Sequence, residues 1–315
     1  MAEPAARNDF ESRPVEFPSC GAVLRGRLLL PKPRPAKLPV IVMAPGMSGV
    51  KEGSVAKYAD FFAGRGFAVL IYDNINFGES GGEPRQQADS VLQRRGYRDA
   101  ITFAGLQTEV DKTRIGIWGT SMSGGHVLEV AAVDRRVRCV VSQIPGVSGL
   151  ETTRRRTPVA QRLASQANLE REREALFQGA EPTMIKAVSD VPGEVCVMPG
   201  PAAFNYFTEQ AKEAPNWRNE VTLHSLDISR TVDTRPFLPF ISPTPLLMIV
   251  ALNDELAPPD MAITAYHTAL EPKKLVLIPG HHFTPYHDEF ETTGGEAAAW
   301  FDRHLNRGGT AALNG

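Results

Sequence analysis

The 315-residue sequence is poor in cysteine, with only Cys20, Cys139 and Cys196, which lie far apart along the chain. Three widely spaced cysteines give neither a disulfide framework nor the paired spacing of a zinc site, so we expect a reducing compartment. The sequence also lacks a long apolar run, since the longest, at 246–252, is far too short to cross a bilayer. The polar segment 1–13 has no hydrophobic stretch typical of a signal peptide. We therefore expect a cytoplasmic location without membrane association.

No charge of one sign dominates the chain. There are 34 basic and 36 acidic side chains, for a formal net charge of −2, and no large single-sign block. This balance gives no electrostatic reason to expect nucleic acid or an anionic membrane as a partner. A dinucleotide fingerprint is also missing, because Gly64 and Gly66 stand before a predicted strand instead of after one. We expect neither a cofactor nor a bound metal.

The sequence does contain short β-branched segments that alternate with helix-length amphipathic segments. This alternation is typical of a parallel sheet flanked by helices. The predicted strands are 15–17, 22–30, 40–44, 67–72, 115–118, 137–142, 246–251 and 274–278, of which the first two form an antiparallel pair. The predicted helices of this pattern are 54–63, 91–106, 122–133, 259–270 and 289–305. The fold class is therefore α/β, with a mostly parallel twisted sheet and helices on its faces.

The alternation stops between residues 149 and 240. This segment contains three successive arginines, 154–156, and a long polar helix is predicted at 158–177. A connection of this length rarely remains without structure in a compact domain. We therefore predict that 149–240 is a helical cap inserted into a core domain formed by 1–148 and 241–315.

Ser121 lies in a segment, 115–125, that reads as a strand, a sharp turn and a helix. A serine nucleophile on such a turn needs small residues two positions before and after it, because the turn presses them against adjacent chain. Gly119 and Ser123 fill these positions, with serine in place of the usual second glycine. The N-terminus of the helix favours a developing oxyanion through its free N–H groups and its dipole. We predict that Ser121 is a nucleophile.

Two other serines compete with Ser121. Ser80 lies in a segment, 78–82, that matches the G-x-S-x-G pattern without a mismatch, but Pro84 follows where a helix should begin. The pattern indicates a nucleophile only between a strand and a helix, so we disfavour Ser80. Ser123 is the second alternative, and a plain helix N-cap is the non-catalytic alternative for Ser121.

A serine nucleophile needs a general base, and the base needs an acid that orients it. For a nucleophile on a strand–turn–helix, the order along the chain is Ser, acid, His. Asp254 follows the predicted strand 246–251 at its carboxyl end, and we predict that it is the acid. An Asx-turn or N-cap role is the alternative for it. Weaker acid candidates are Glu255, Asp227 and Asp233.

The base is expected directly after the last predicted strand, where the segment 278–283 contains His281 and His282. Because the two are adjacent, their side chains point in different directions, and the residues alone leave both open. His287 is better explained as a packing or surface side chain, and His126 as a side chain that faces the core or the cap. A metal site built on these histidines lacks a second ligand cluster.

The oxyanion of the transition state needs two backbone donors. The N–H group of Met122, directly after the serine, is the first predicted donor. The second is expected from the glycine-rich loop 44–49, where the backbone can closely approach a ligand. We assign it to the N–H group of Met47. A plain strand-to-helix turn is the alternative for this loop.

With these residues in place, the sequence resembles the α/β-hydrolase superfamily over nearly its whole length. More narrowly, it resembles the fungal polyketide transferases and thiohydrolases. The resemblance rests on four stretches, 72–86, 119–126, 242–250 and 271–283. Members of this group usually end their last strand in Gly-Gly-His-Phe. The resemblance therefore implies that His282 is the catalytic base and that His281 replaces a glycine.

This chain departs from the group at three places that border the expected pocket. Ile75 stands where the group usually has arginine, Thr284 stands where it has aspartate, and Pro45-Gly46 replaces the His-Gly oxyanion motif of the superfamily. The triad is intact. The departures therefore concern the identity of the substrate and of the reaction.

The resemblance implies a serine hydrolase or acyltransferase acting on an ester or thioester of a bulky apolar, polyketide-like acyl group. The expected partner is a small-molecule acyl substrate, free or carried as a thioester on a carrier protein, and the sequence is compatible with a homodimer. Cyclisation, C–C cleavage or elimination at the same Ser/His site is one alternative. A non-catalytic ligand-binding protein is another, and the short chain disfavours a peptidase.

Aromatic residues of the predicted cap offer apolar surface for such an acyl group. An equally simple interpretation is that they hold the cap on the core, so none is predicted as a binding residue. They are Phe204, Tyr206, Phe207 and Trp217.

Overall fold

The structure is a computed structural model that describes residues 9–33 and 37–306, so residues 1–8 of the polar N-terminal segment lie outside it. Its strands, in chain order, are β1 (Asp9–Ser19), β2 (Ala22–Lys32), β3 (Leu38–Ala44), β4 (Ala68–Tyr72), β5 (Val110–Thr120), β6 (Val137–Gln143), β7 (Met184–Ser189), β8 (Cys196–Pro199), β9 (Val221–Thr222), β10 (Leu246–Ala251) and β11 (Lys273–Ile278).

The α-helices of the described residues connect or follow these strands. In chain order they are α1 (Ser54–Ala63), α2 (Ser90–Gly105), α3 (Met122–Val133), α4 (Gly149–Arg156), α5 (Val159–Phe177), α6 (Pro201–Gln210), α7 (His224–Arg230), α8 (Pro259–Thr268) and α9 (Phe290–Phe301). A π-helical turn, Asp302–Asn306, follows α9. Within the described part of the chain, no helix combines the length and the apolarity that a bilayer crossing requires.

The main sheet contains eight strands in the order β1-β2-β4-β3-β5-β6-β10-β11. β1 pairs antiparallel with β2, and β2 pairs antiparallel with β4. From β4 onward, all neighbouring strands are parallel. Parallel strands joined by helices are covered on both faces, and β3 and β10 are accordingly buried along their whole length. The predicted α/β class with a mostly parallel sheet is confirmed.

The hydrophobic core has one layer on each face of the sheet. Side chains alternate between the faces along a strand, so Val42 and Ile41 of β3 enter different apolar clusters. The first cluster includes Tyr97 of α2 and the second includes Tyr58 of α1 and Phe301 of α9. The two layers hold the sheet and its helices as one scaffold for the loops at the strand ends.

Helix starts follow from local capping. The Asp89 carboxylate accepts hydrogen bonds from the N–H groups of Val91 and Leu92 at the start of α2. The Ser148 hydroxyl accepts one from the N–H group of Glu151 at the start of α4. Such caps satisfy N–H groups that have no partner within the helix. They stabilise the starts of these two helices.

The segment 149–240 contains α4 to α7 and also a three-stranded sheet in the order β8-β7-β9. The sequence analysis predicts only helices here. It misses the small sheet because its strands are short, and β7 is half exposed instead of alternating. The division into a core domain and a cap stays a prediction.

Candidate active site

Three loops meet at the carboxyl edge of the main sheet. Ser121 follows β5, Asp254 follows β10 and His282 follows β11. These strands run parallel, and β10 lies directly beside β11. Parallel strands place their carboxyl ends at one edge, which is where open α/β sheets carry their binding sites. The fold thereby brings together residues that are far apart in the sequence.

Ser121, His282 and Asp254 form a chain of hydrogen bonds. The His282 Nε2 atom lies 2.9 Å from the Ser121 Oγ atom, and its Nδ1 atom lies 2.7 Å from the Asp254 Oδ2 atom. The Asp254 Oδ1 atom accepts hydrogen bonds from the N–H groups of Leu256 and Ala257, at 2.8 and 2.7 Å. His282 and Asp254 are both buried. This is the arrangement of a nucleophile, a base and an orienting acid.

The turn that carries Ser121 has a backbone conformation that is rare for a residue with a side chain, with φ at 58° and ψ at −121°. A Cβ atom added at Gly119 would lie 2.2 Å from the Ser123 carbonyl oxygen, so only glycine fits there. The Ser121 N–H group donates to the Gln143 carbonyl at 2.9 Å, and the Ser121 carbonyl accepts from Gly146 at 3.0 Å. These bonds hold the turn in place.

The alternative serines have structural hydrogen bonds. The Ser123 hydroxyl is fully buried, accepts from the Thr120 N–H group at 2.9 Å and lies 2.9 Å from the Ala44 carbonyl oxygen. It therefore ties the turn to the end of β3. The Ser80 hydroxyl is also buried and donates to the Asp73 carbonyl at 2.6 Å. Neither serine is among the residues that line the cavities next to Ser121.

The other histidines lie in different environments. His281 and His287 are exposed. His126 is buried in α3, and burial, with a smaller effect of the Arg94 charge, lowers its pKa to about 3. It is therefore neutral at physiological pH. Of the two adjacent histidines, His282 is the one hydrogen-bonded to the serine, and its role as the base stays a prediction.

The weaker acid candidates are engaged elsewhere or point to solvent. Asp227 pairs with Arg173 at 2.8 Å, and Asp233 pairs with Arg235 at 2.5 Å. Glu255 is exposed. None of the three has a recorded contact with a histidine in the described part of the chain.

The loop 44–49 packs directly against the serine turn. A Cβ atom added at Gly46 would lie 3.1 Å from the Ser121 Cβ atom and 3.6 Å from the Met122 nitrogen. Met47 and Met122 both line the cavity that is also lined by Ser121. The two predicted oxyanion donors therefore belong to segments on either side of the serine, and their role stays a prediction.

Replacing Gly46 by alanine is expected to lower kcat by at most about 100-fold, the effect of misplacing a reacting group by about 1 Å. The added methyl group would crowd the Ser121 Cβ atom at 3.1 Å and the Thr120 carbonyl oxygen at 3.0 Å. The measurement is steady-state hydrolysis of an activated ester. Gly295→Ala is the control, since a Cβ atom added there meets nothing within 4 Å. Equal activity of the two variants would contradict the close packing.

A buried ion pair connects Lys51, two residues after the loop 44–49, to Asp73, the residue that follows β4. The Lys51 ammonium lies 2.9 Å from the Asp73 carboxylate, and the Lys51 N–H group donates to the same carboxylate at 2.7 Å. Burial opposes the charged form of Lys51, but Asp73 and hydrogen bonds to Glu52 and Glu79 raise its pKa overall. The three carboxylates lie close enough together to hold a metal ion. Lys51 contacts each of them, so the cluster already has its cation.

Replacing Lys51 by methionine is expected to lower the free energy of unfolding by about 3–5 kcal/mol, because the change leaves the buried Asp73 charge without its partner. Chemical denaturation measures the loss. Lys274→Met is the matched control, since its 2.5 Å pair with Glu296 is exposed and is expected to contribute no more than about 1 kcal/mol. Equal losses in the two variants would refute the anchoring role.

Two cavities open onto Ser121 and His282. The smaller has a volume of about 40 Å³ and is lined mainly by apolar side chains, with aromatic rings from Tyr206, Phe207, Phe283 and Tyr286. The larger, of about 160 Å³, is lined by apolar side chains, by several hydroxyl groups and by Arg156. A site with two compartments beside one serine suits a reaction in which an acyl group and its leaving group or acceptor lie on different sides.

Some aromatic residues of the 149–240 segment line a cavity, and others hold the segment on the core. Tyr206 and Phe207 line the smaller cavity. Phe204 and Trp217 pack against the apolar cluster of the core, and the rings of Phe207 and Trp217 stack with centroids 5.3 Å apart.

The larger cavity also contains a residue that the sequence analysis does not single out, Arg156. The sequence feature that could have pointed to this residue is the run of three arginines, 154–156, but the run does not indicate which of the three faces a cavity.

Comparison with known proteins places this architecture in a family. A family model described as X-Pro dipeptidyl-peptidase (S15 family) matches residues 21–284. Thiohydrolase aneE of Aspergillus aculeatus is 32% identical over 83% of this chain and 83% of its own length. Polyketide transferase claH of Penicillium crustosum is 28% identical over 85% of this chain and 89% of its own length.

Solved structures give the same result for the fold. The crystal structure of hypothetical protein PA2218 from Pseudomonas aeruginosa matches with a TM-score of 0.81 at 29% identity and covers 97% of this chain and 96% of that chain. The predicted resemblance to α/β hydrolases, and to the fungal thiohydrolases and polyketide transferases among them, is confirmed. The chain belongs to the X-Pro dipeptidyl-peptidase (S15) family and has the α/β-hydrolase fold.

Proposed function

We propose that this protein is a serine-dependent hydrolase or acyltransferase that acts on an ester or thioester through an acyl-enzyme on Ser121. The observation that carries the proposal is the continuous chain of short contacts from Ser121 through His282 to Asp254, at 2.9 and 2.7 Å. A serine hydroxyl is a weak nucleophile unless a base accepts its proton. The names of the relatives, thiohydrolase and polyketide transferase, support the same class of reaction.

In the first half-reaction, the Ser121 oxygen attacks the substrate carbonyl carbon while His282 Nε2 accepts the hydroxyl proton. Asp254 orients the ring through Nδ1 and stabilises its positive charge. The N–H groups of Met47 and Met122 donate to the oxyanion of the tetrahedral intermediate. The intermediate then collapses, and the departing thiol or alcohol takes the proton from His282. The acyl group remains as an ester of Ser121.

In the second half-reaction, His282 accepts a proton from the incoming nucleophile, which attacks the Ser121 ester. Water gives the free acid, and an alcohol gives a new ester. Ser121 recovers its proton from His282 when the product leaves. The same residues therefore support hydrolysis and acyl transfer, and the nucleophile that reaches the acyl-enzyme decides between them.

The substrate we propose is a polyketide-like acyl group, presented as a small-molecule ester or as a thioester on a carrier protein. The segment 149–240 acts as a cap in this proposal. Its Met198, Tyr206 and Phe207 side chains line the smaller cavity beside the serine, and its Leu226 lines the larger one. Apolar surface of this kind suits an acyl chain.

A dipeptidyl-peptidase activity, which the family description names, has less support in the cavities. A peptide with a free N-terminus carries an ammonium group, and a buried ammonium needs a carboxylate partner. Among the described residues that line the two cavities, none is acidic, and the larger cavity contains the cation Arg156. An uncharged or anionic acyl group fits this lining better.

Intact-mass spectrometry with a panel of polyketide-like and long-chain thioesters tests the proposal. We expect a mass increase equal to the acyl group, located on Ser121 by peptide mapping, and its loss on turnover. Reaction in ¹⁸O-labelled water should label the acid product of hydrolysis, whereas transfer to an alcohol leaves the label out. Product formation that depends on Ser121 but shows no acyl adduct would instead indicate cyclisation, C–C cleavage or elimination at the same Ser/His site and would overturn the proposal. Undiminished turnover in the Ser121→Ala variant would overturn the nucleophile assignment itself.

A further inference from the structure

Arg156 is the cationic side chain among the described residues that line the larger cavity. It is the last residue of α4 and is partly buried. Its guanidinium donates through Nη2 to the Val197 carbonyl at 3.0 Å, which fixes one side of the group. Ser121 and His282 line the same cavity. The positive charge therefore belongs to the compartment where the proposed reaction occurs.

The two neighbouring arginines serve a different purpose. Arg154 and Arg155 are exposed and pair with Glu151 at 2.6 and 2.8 Å, and Arg155 also pairs with Asp260 at 2.8 Å. In residues 9–33 and 37–306, no ion pair is recorded for Arg156. Three successive residues of a helix point in different directions, and only the third reaches the cavity.

The nearest acids do not neutralise Arg156. Asp254 and Glu255 both contribute favourable charge to it. Both Asp254 oxygens are already occupied, one by His282 and the other by the N–H groups of Leu256 and Ala257. Glu255 is exposed and, among the described residues, forms no salt bridge with Arg156. Burial lowers the pKa of Arg156 from its usual value, yet an arginine remains protonated in proteins. A partly buried guanidinium without a counter-ion attracts an anion more strongly than an exposed one.

We propose that Arg156 binds a carboxylate on the acyl group of the substrate and thereby determines its specificity. The proposal rests on the proposed function, since it deepens the substrate class of that site. The planar guanidinium has the fork geometry that matches a carboxylate with two parallel hydrogen bonds. Hydroxyl groups that line the same cavity offer further donors, and they belong to Ser148, Thr152 and Thr153. The preferred acyl group then carries its carboxylate at the end remote from the thioester.

The test compares two thioesters of N-acetylcysteamine, one with a half-acid acyl group such as glutaryl and one with its methyl ester. We expect the protein to prefer the acid by about tenfold or more in kcat/KM, because hydrogen bonds to charged groups contribute this much. Arg156→Gln should lower kcat/KM for the acid by about 10- to 100-fold more than for the methyl ester, mainly through KM. Arg156→Lys should retain part of the preference. Arg154→Gln, on the same helix, should change neither.

A second pair of substrates separates an anion on the acyl group from one on the leaving group. A neutral acyl group is attached either to pantetheine or to 4′-phosphopantetheine. An effect of Arg156→Gln confined to the phosphate would place the anion on the leaving group and overturn the carboxylate assignment. Equal use of acid and methyl ester by the unmodified protein, or an equal loss of both in Arg156→Gln, would also overturn it.

Binding to the Ser121→Ala variant keeps this test separate from the proposed function. Calorimetry with the two N-acetylcysteamine thioesters should show about tenfold tighter binding of the acid, and no preference once Arg156→Gln is added. These affinities decide the carboxylate proposal even if Ser121→Ala still turns over substrate, a result that would remove only the nucleophile assignment.

Discussion

Ser121→Ala is expected to lower kcat for ester or thioester hydrolysis by about 10³- to 10⁶-fold, because removing a serine nucleophile leaves only binding and oxyanion stabilisation. KM should change little, since the hydroxyl acts mainly in the transition state. The same variant should no longer be labelled by a fluorophosphonate probe, which reacts with the activated serine. Steady-state kinetics and gel-based labelling measure the two effects.

Ser123→Ala is the matched control for this variant, because it removes another hydroxyl of the same turn. The Ser123 hydroxyl is fully buried and hydrogen-bonded to Thr120 and Ala44. Its loss is expected to cost about 1–3 kcal/mol in stability while labelling persists. Labelling that survives in Ser121→Ala and disappears in Ser123→Ala would reassign the nucleophile.

Asp254→Asn is expected to lower kcat by about 10⁴-fold with the fold intact. The physical reason lies in the tautomer of His282. The Asp254 carboxylate accepts the proton on Nδ1 across 2.7 Å, which leaves Nε2 free to accept the Ser121 proton. An asparagine amide can donate to Nδ1 instead, which places the proton on Nε2 and removes its ability to act as a base. Single-turnover kinetics measure the loss of the acylation rate.

Glu255→Gln provides the comparison for the acid, since Glu255 is the adjacent carboxylate and is exposed. We expect its kcat within about twofold of the unmodified protein, as for other exposed charges far from a direct contact. Circular dichroism of both variants should match the unmodified protein. A large loss of activity in Glu255→Gln with a small loss in Asp254→Asn would exchange the roles of the two acids.

The sequence predicts much of the scaffold because the relevant signals are local. The bounds of α1, α3 and β10 agree with the predicted ones residue for residue. β-Branched runs, capping residues and the small residues around Ser121 each act within a few positions of the chain. The antiparallel pair at the start is also predicted, although β1 extends to Asp9 instead of beginning at Val15. An edge strand with many exposed side chains gives a weak signal over its outer part.

The small sheet of β7 to β9 shows where local signals fail. Its strands contain six residues or fewer, and β9 pairs with β7 across the intervening β8 and α6. Strands so short and so exposed have no clear alternation of apolar and polar residues. Their pairing depends on the packing of the whole 149–240 segment against the core.

The sequence by itself determined the strand, turn and helix around Ser121, because small neighbours and a buried strand suffice to specify that turn. It left His281 and His282 open on the residues alone, and it gave no reason to choose Arg156 from three successive arginines. Tertiary structure decided both. The loop after β11 turns one histidine toward Asp254, and the packing of α4 turns one arginine into the cavity. Adjacent residues share their local sequence, so only contacts between distant segments can distinguish them.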